Sequence, residues 1–195
     1  MMISQISSQA KVSAFHSSFQ SSKAWQWGQT QRLKIVMITA TFNTQITQAL
    51  ENGAKQLLEA LPHVQVQSLY APGAVELPVL AQHALKAEAD AVICLGCVIR
   101  GDTTHYDYVC SMTAQGIMQV SLQSGKPVIF GVLTCENEAQ AIARMLDDLN
   151  DADEATVAKL QGLPVVGNKG REAAEAVLQT LYSMNSLNLT RSANT

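Results

Sequence analysis

The stretch Ala91-Val92-Ile93-Cys94-Leu95-Gly96-Cys97-Val98-Ile99-Arg100-Gly101-Asp102-Thr103-Thr104-His105-Tyr106-Asp107-Tyr108-Val109 decides how this chain folds. Its first half is an apolar run rich in strand formers and too short to span a bilayer. Its second half is polar. In residues 110–123 beyond it, Met112, Ile117, Val120 and Leu122 punctuate polar positions, as on a half-buried helix. The order is therefore buried strand, polar loop, helix. In an open α/β sheet, ligands bind at the carboxyl ends of the strands, where this loop belongs. The loop offers backbone N–H groups at a helix start, two threonine hydroxyls and a histidine. That set suits holding an anion and moving a proton beside it.

The same grammar runs outward in both directions. Upstream, residues 34–40 read as a first buried strand and 41–44 as a loop. Thr44 is a candidate cap for a helix with Ile46, Leu50, Ala54, Leu57, Leu58 and Leu61 on its apolar face, stopped by Pro62. Residues 64–70 alternate, as in a strand near a sheet edge or a subunit contact. A turn at 71–74 leads to a helix over 76–88 with Pro78 in its first turn. Downstream, Gly125 ends the helix after the central loop, 126–133 reads as a fourth strand, and 136–149 as a helix carrying Arg144. Residues 167–170 form a turn, and 171–184 a last helix with Ala174, Val177, Leu178 and Leu181 on one face. Strands joined by crossover helices imply an α/β fold with a parallel sheet covered on both faces.

The 195 residues suffice for one well-cored domain, placed at 32–184. An arm at 1–31, rich in Ser and Gln and free of Asp and Glu, precedes it, and a polar tail at 185–195 follows. Trp25 and Trp27 would anchor the arm on the domain or on a neighbouring subunit. Residues 146–166 form an acidic segment, read as solvated. A net charge of -3 argues against a nucleic-acid partner, and no apolar run reaches membrane-spanning length. No secretory signal pattern is found, so a reducing cytoplasm is expected. Cys94 and Cys97, three apart on a strand, point to opposite faces. They are read as core residues rather than metal ligands or a disulfide, and no His/Cys/Asp cluster has metal spacing.

Several side chains could carry chemistry. An imidazole can both take and give a proton, which suits His105 for proton transfer, although a loop histidine is as readily a plain surface residue. Asp102 would oppose an anion, so a cation is needed nearby, and Arg144 and Lys169 are the candidates. Phe42 is either a stacking platform for a flat ring or a lid on the core. Glu76 either caps its helix or accepts hydrogen bonds from ligand hydroxyls.

Five segments, in order and spacing, resemble the lumazine synthase family. They are Thr41-Phe42-Asn43, Ala71-Pro72-Gly73-Ala74-Val75-Glu76-Leu77-Pro78, the stretch 95–109, residues 127–134 and Gly167-Asn168-Lys169-Gly170. The resemblance implies a flavodoxin-like three-layer sandwich with a four-stranded parallel sheet. It implies condensation of 5-amino-6-(ribitylamino)uracil with 3,4-dihydroxy-2-butanone 4-phosphate to 6,7-dimethyl-8-ribityllumazine, releasing phosphate and water. No metal or organic cofactor is implied. Self-association into pentamers or their multiples is, with active sites between adjacent subunits and a product used by riboflavin synthase. By position, Phe42 would stack on the pyrimidine. Asn43, Ala74, Val75, Glu76, Val98 and Ile99 would line the pyrimidine and ribityl site. Asp102 and Thr103 would serve the phosphate, and His105 would transfer protons. Phe130 would come from the neighbouring subunit, Arg144 would hold phosphate, and Lys169 would reach the ribityl or phosphate region. The chain departs from the family pattern in the acidic 146–166 segment, in Glu172 and in its long arm. A non-catalytic ring-binding protein and a structural shell protein are the alternatives. The presence of His105, Arg144 and Lys169 in one chain favours the enzyme.

Overall fold

A computed structural model describes residues 18–192, apart from the side chains of residues 151 and 188–192. Most of the expected arm, including His16, and the last three residues lie outside the described residues. Four strands follow the apolar runs: β1 (Leu33–Ala40), β2 (Val64–Ala71), β3 (Ala91–Ile99) and β4 (Val128–Cys135). They form one parallel sheet in the order β2-β1-β3-β4. β1 and β3 are central and almost wholly buried, as a strand covered on both faces must be. β2 lies at an edge, and its alternation of half-buried and exposed residues is the one the sequence carries.

The connecting helices divide between the two faces. α1 (Lys23–Gly28), α2 (Thr44–Leu58), α5 (Glu138–Met145) and α7 (Lys169–Ser192) enclose a core with Ile35, Met37, Ile93 and Leu95. α3 (Leu77–Lys86) and α4 (His105–Ser124) cover Val36, Ile38, Val92 and Cys94 on the other face. Cys94 and Cys97 fall in opposite cores, as their spacing requires. Burial pushes both thiols up to about 12, so neither is ionised at neutral pH. Because β1 pairs with β2 on one side and β3 on the other, the connections reverse direction between β1 and β3. That switch point is where an open α/β sheet leaves a crevice at its carboxyl end.

Several boundaries differ from the sequence reading. α4 begins at His105 rather than after the loop, so this histidine stands in the first helical turn. Thr44 does not cap α2: Asn43 takes that place in the left-handed conformation (φ 59°), and the Thr44 hydroxyl bonds back to the Thr41 carbonyl. α5 runs only from Glu138, capped by the Asn137 carboxamide, to Met145, where the chain turns extended at Leu146. α7 starts two residues early and continues through the supposed tail to Ser192. The acidic segment is not merely solvated: Leu160 and Val165 are buried, Asp153 caps α6 (Glu154–Lys159), and Asp147 takes a forked ion pair from Arg171 at 3.0 Å. The end of the arm folds as well. Ser22 caps α1, Phe19 packs edge-on against Trp25, and Trp27 meets Tyr182 of α7.

Asn168 explains why α5 stops and α7 starts. It is 4% exposed, and its amide nitrogen donates to the carbonyls of Ala49 on α2 (2.9 Å) and Met145 at the end of α5 (2.7 Å). Its side-chain oxygen accepts from the backbone N–H of Gly170 and Arg171, the first free donors of α7. Gly170 lies so close to α2 that an added Cβ would stand 1.8 Å from the Leu50 carbonyl oxygen. We predict that Gly170→Ala destabilises the fold by about 3 kcal/mol, because backbone has to move. Asn168→Ala is predicted to cost about as much by stranding buried backbone groups. Urea titration would measure both.

A second buried polar group makes stability depend on pH. Glu51 on α2 is 3% exposed and accepts hydrogen bonds from Ser68 Oγ (2.6 Å) and Lys55 Nζ (3.0 Å). Burial alone would raise its pKa, but the Ser68 hydroxyl and the Lys55 ammonium outweigh it and hold the carboxyl below its ordinary 4.5. A depressed folded pKa contributes stability above the unfolded value and loses it as pH falls through the folded one. Glu51→Gln is therefore predicted to cost about 1 kcal/mol at pH 7. Its stability gap from the unsubstituted chain should close below pH 4.5, as measured by denaturant unfolding across pH 3–7.

Candidate active site

At the switch point between β1 and β3 the structure opens a cleft of about 630 Å³. Three carboxyl-end segments wall it: Ala40 at the end of β1 with Phe42 just beyond, Pro72 to Glu76 after β2, and Cys97 to Ile99 closing β3. The fourth wall is the start of α4. His105, Tyr108, Val109 and Met112 line the cleft at helical spacing, with Tyr106 and Thr103 beside them. Apolar lining with a few polar groups is the usual composition of a small-molecule site.

Individual side chains settle points the sequence leaves open. Phe42 is 71% exposed, so it is no lid on the core. It lines the cleft, where an exposed aromatic ring can stack on a flat ligand. Glu76 makes no capping hydrogen bond to α3, and its carboxylate reaches back over Gly73 at the cleft wall. It is thus placed to accept from ligand hydroxyls. The His105 backbone N–H meets Thr103 Oγ1 at 3.4 Å, and the exposed imidazole stands at the N-terminus of a twenty-residue helix. The dipole of that helix favours negative charge beside the histidine.

Two expected contributors sit next to the cleft rather than in its wall. Asn43 spends its amide on the Cys97 carbonyl (3.0 Å), joining the ends of β1 and β3. Asp102 is exposed on the loop, outside the lining. The remaining expected residues, Phe130, Arg144 and Lys169, gather elsewhere. They line a second cleft of about 410 Å³ between β4 and the start of α7. No residue lines both clefts.

Both cations of the second cleft are fixed by the local fold. Arg144 is in the last turn of α5, and its Nη1 donates to the Gln140 carbonyl at 2.9 Å. It makes no ion pair with a carboxylate among the described residues, so its guanidinium keeps donors for an anion. Lys169 opens α7 immediately after Asn168, and its ammonium pairs with Glu172 one turn on. The Glu172 departure therefore has a structural effect: it holds Lys169 in place. Phe130 is 42% exposed on β4, an edge strand of the sheet among the described residues.

Sequence reading passes over several contributors. Tyr108, Val109 and Met112 share a helical face with His105, a pattern visible once the helix is known to begin at residue 105. Arg100 was equally silent. It pairs with Glu136 and Asp107 and lies 4.1 Å over the Tyr106 ring. Those two carboxylates raise the guanidinium pKa further above its ordinary value. Among the described residues there is no cluster of metal-ligating side chains, and no helix is long and apolar enough to cross a membrane.

Comparison with known proteins agrees with this arrangement. Residues 32–185 match the family described as 6,7-dimethyl-8-ribityllumazine synthase. A 6,7-dimethyl-8-ribityllumazine synthase of Bdellovibrio bacteriovorus is 42% identical over 150 residues, covering 77% of this chain and 74% of that protein. The Kineococcus radiotolerans protein of the same name is 40% identical over 152 residues, covering 78% of this chain and 85% of its own. A match of this extent, on a parallel α/β sheet with its cleft at the switch point, means that the chain belongs to the 6,7-dimethyl-8-ribityllumazine synthase family.

Proposed function

We infer that this chain condenses 5-amino-6-(ribitylamino)uracil with 3,4-dihydroxy-2-butanone 4-phosphate to 6,7-dimethyl-8-ribityllumazine, in riboflavin biosynthesis. The observation that carries the reading is the grouping of Phe42, Glu76 and His105 around one cleft. A ring platform, a hydroxyl acceptor and a proton-transfer group are what the two substrates require. We further propose that the site is completed by a second copy of the chain, whose Phe130, Arg144 and Lys169 face the first copy's cleft. Those three side chains belong to a separate cleft at a sheet edge, and both clefts are open to solvent in the single chain.

The chemistry assigns each residue a task. The pyrimidine stacks on Phe42, beside Val98 and Ile99, with its ribityl hydroxyls toward Glu76 and the Ala74–Val75 backbone. Asn43 holds the cleft wall, and Asp102 and Thr103 border the phosphate. The 5-amino group attacks the ketone, and loss of water gives an imine. His105 removes the proton from the adjacent hydroxyl-bearing carbon. The electron pair moves toward the terminal carbon, the C–O bond breaks, and phosphate leaves with that bond's electrons. Arg144 of the neighbouring copy stabilises the departing dianion. The resulting enol takes a proton on its terminal carbon and becomes a methyl ketone. The ribityl-bearing nitrogen attacks that carbonyl to close the ring, and a second water leaves. Aligning two substrates can itself supply roughly 7–11 kcal/mol, so few acid–base groups are needed.

The proposed assembly is a pentamer or a multiple of pentamers. Its support is the exposed side of α4, where Met118 and Leu122 and the cleft-lining Tyr108 and Met112 are all more than half exposed. Contiguous apolar surface of that kind marks an association face. Four free cysteines fit a reducing, cytoplasmic setting, and the product is passed to riboflavin synthase.

The test is to mix the two substrates with the protein and follow lumazine absorbance alongside phosphate release. Both signals should rise together. Binding of the pyrimidine without phosphate release would point instead to a ring-binding protein. His105→Ala is predicted to lower kcat about 10–100-fold, at the low end for acid–base catalysis because alignment does most of the work. Arg144→Ala should lower it about 100-fold by removing an anion-stabilising donor. Wild-type turnover in both variants would refute these roles.

A further inference from the structure

The loop between β3 and α4 has little of its own to hold it. Residues 101–105 are all exposed, and a Cβ added at Gly101 would meet nothing within 4 Å. That loop has the 3.4 Å contact from the His105 N–H to Thr103 Oγ1 and, where α4 begins, the Asp107 N–H donated to the Thr104 carbonyl at 3.0 Å. A segment built this way samples many conformations unless its ends are fixed.

One side chain ties both ends of the loop to the neighbouring strand. The Arg100 backbone N–H continues the sheet by donating to the Cys135 carbonyl at 2.9 Å. The side chain then reaches two further elements. Nε donates to Glu136 Oε2 at 2.7 Å, just past the end of β4. Nη1 and Nη2 fork onto Asp107 Oδ2 and Oδ1 at 3.3 and 3.0 Å, in the first turn of α4. The guanidinium also lies 4.1 Å above the Tyr106 ring, which stacks it from the residue next to His105. One guanidinium thus connects the start of the loop, the end of the neighbouring strand and the helical turn that carries the histidine.

We propose that Arg100 is a positioning residue for His105: by tying β4 to the first turn of α4 it fixes how the imidazole meets the cleft. The proposal rests on the reading of that cleft as a lumazine synthase site. Stability does not explain the network. The side chains of Arg100, Asp107 and Glu136 are 37%, 57% and 58% exposed, and ion pairs that open to water contribute little to folding. What such a network does supply is direction, because a planar fork accepts only one approach of a carboxylate. Lysine has the charge without the fork.

The test compares Arg100→Gln, Arg100→Lys and Glu136→Gln with the unsubstituted protein. Arg100→Gln is expected to lower kcat about 10–100-fold, as misplacing a reacting group does. KM for either substrate should stay within about twofold, and the melting temperature within about 2 °C. Arg100→Lys should recover part of the loss, and Glu136→Gln should show a smaller fall of the same kind. In the free protein, amide exchange over residues 101–106, followed by mass spectrometry, should speed up about tenfold in Arg100→Gln. A kcat within twofold of wild type would overturn the proposal, as would a fall in kcat matched by loss of thermal stability. If the unsubstituted protein made no lumazine, the reading of the cleft would fail. Exchange would then decide the clamp by itself: a tenfold rise supports it and an unchanged rate overturns it.

Discussion

The buried carboxamide of Asn168 is the constraint on which the arrangement of this molecule depends. One side chain satisfies a carbonyl of α2, the last carbonyl of α5 and two opening N–H groups of α7. The Met145 carbonyl and the two opening N–H groups are helix-end groups that would otherwise be left without a partner, at a cost of about 1–3 kcal/mol apiece. The close approach of Gly170 to Leu50 is possible only where there is no Cβ. Together they fix where α5 ends and α7 begins. Arg144 sits one residue before the Met145 carbonyl that Asn168 binds, and Lys169 one residue after Asn168 itself. The two cations are therefore held in one cleft by the same carboxamide that joins the helices.

The opposite end of the chemistry is fixed by different means. Phe42, Glu76 and His105 stand at the carboxyl ends of β1, β2 and β3, where the connections diverge. Asn43 bridges β1 to β3 through the Cys97 carbonyl, and Arg100 bridges β3 to β4 and α4. The sheet is a rigid base for three short loops, and the loops supply the variable part. This is the usual division of labour in open α/β folds. Its consequence here is two separate clefts in one chain, one lined by Phe42, Glu76 and His105 and the other by Phe130, Arg144 and Lys169.

Much of this was legible in the residues. Unbroken apolar runs such as 91–99 can only be central strands, and the alternation of 64–70 belongs to an edge. The opposite faces of Cys94 and Cys97 follow from strand geometry alone. Other features were not legible, for identifiable reasons. Polar residues 105–109 hide a helical turn because their apolar contacts face a cleft rather than a core. The end of α5 and the start of α7 depend on Asn168, whose carbonyl partners lie 23 and 119 residues away, and no local propensity reports them. Two cations separated in sequence from His105 proved to be separated in the folded chain as well. The five segments that resemble a family pointed to the reaction, but only coordinates showed how those segments divide between two clefts.

The central claim is that catalysis needs His105 from one copy and Arg144 from the next. Co-expression of His105→Ala and Arg144→Ala chains in equal amounts, followed by assay of the mixed assemblies, tests it most directly. Each variant assayed alone should keep only about 1–10% of wild-type turnover. Random mixing places an intact His105 opposite an intact Arg144 in about one quarter of the shared sites, so roughly one quarter of wild-type turnover should return. Mixed assemblies no more active than the two variants assayed separately would mean that both residues act within a single chain, and would contradict the account.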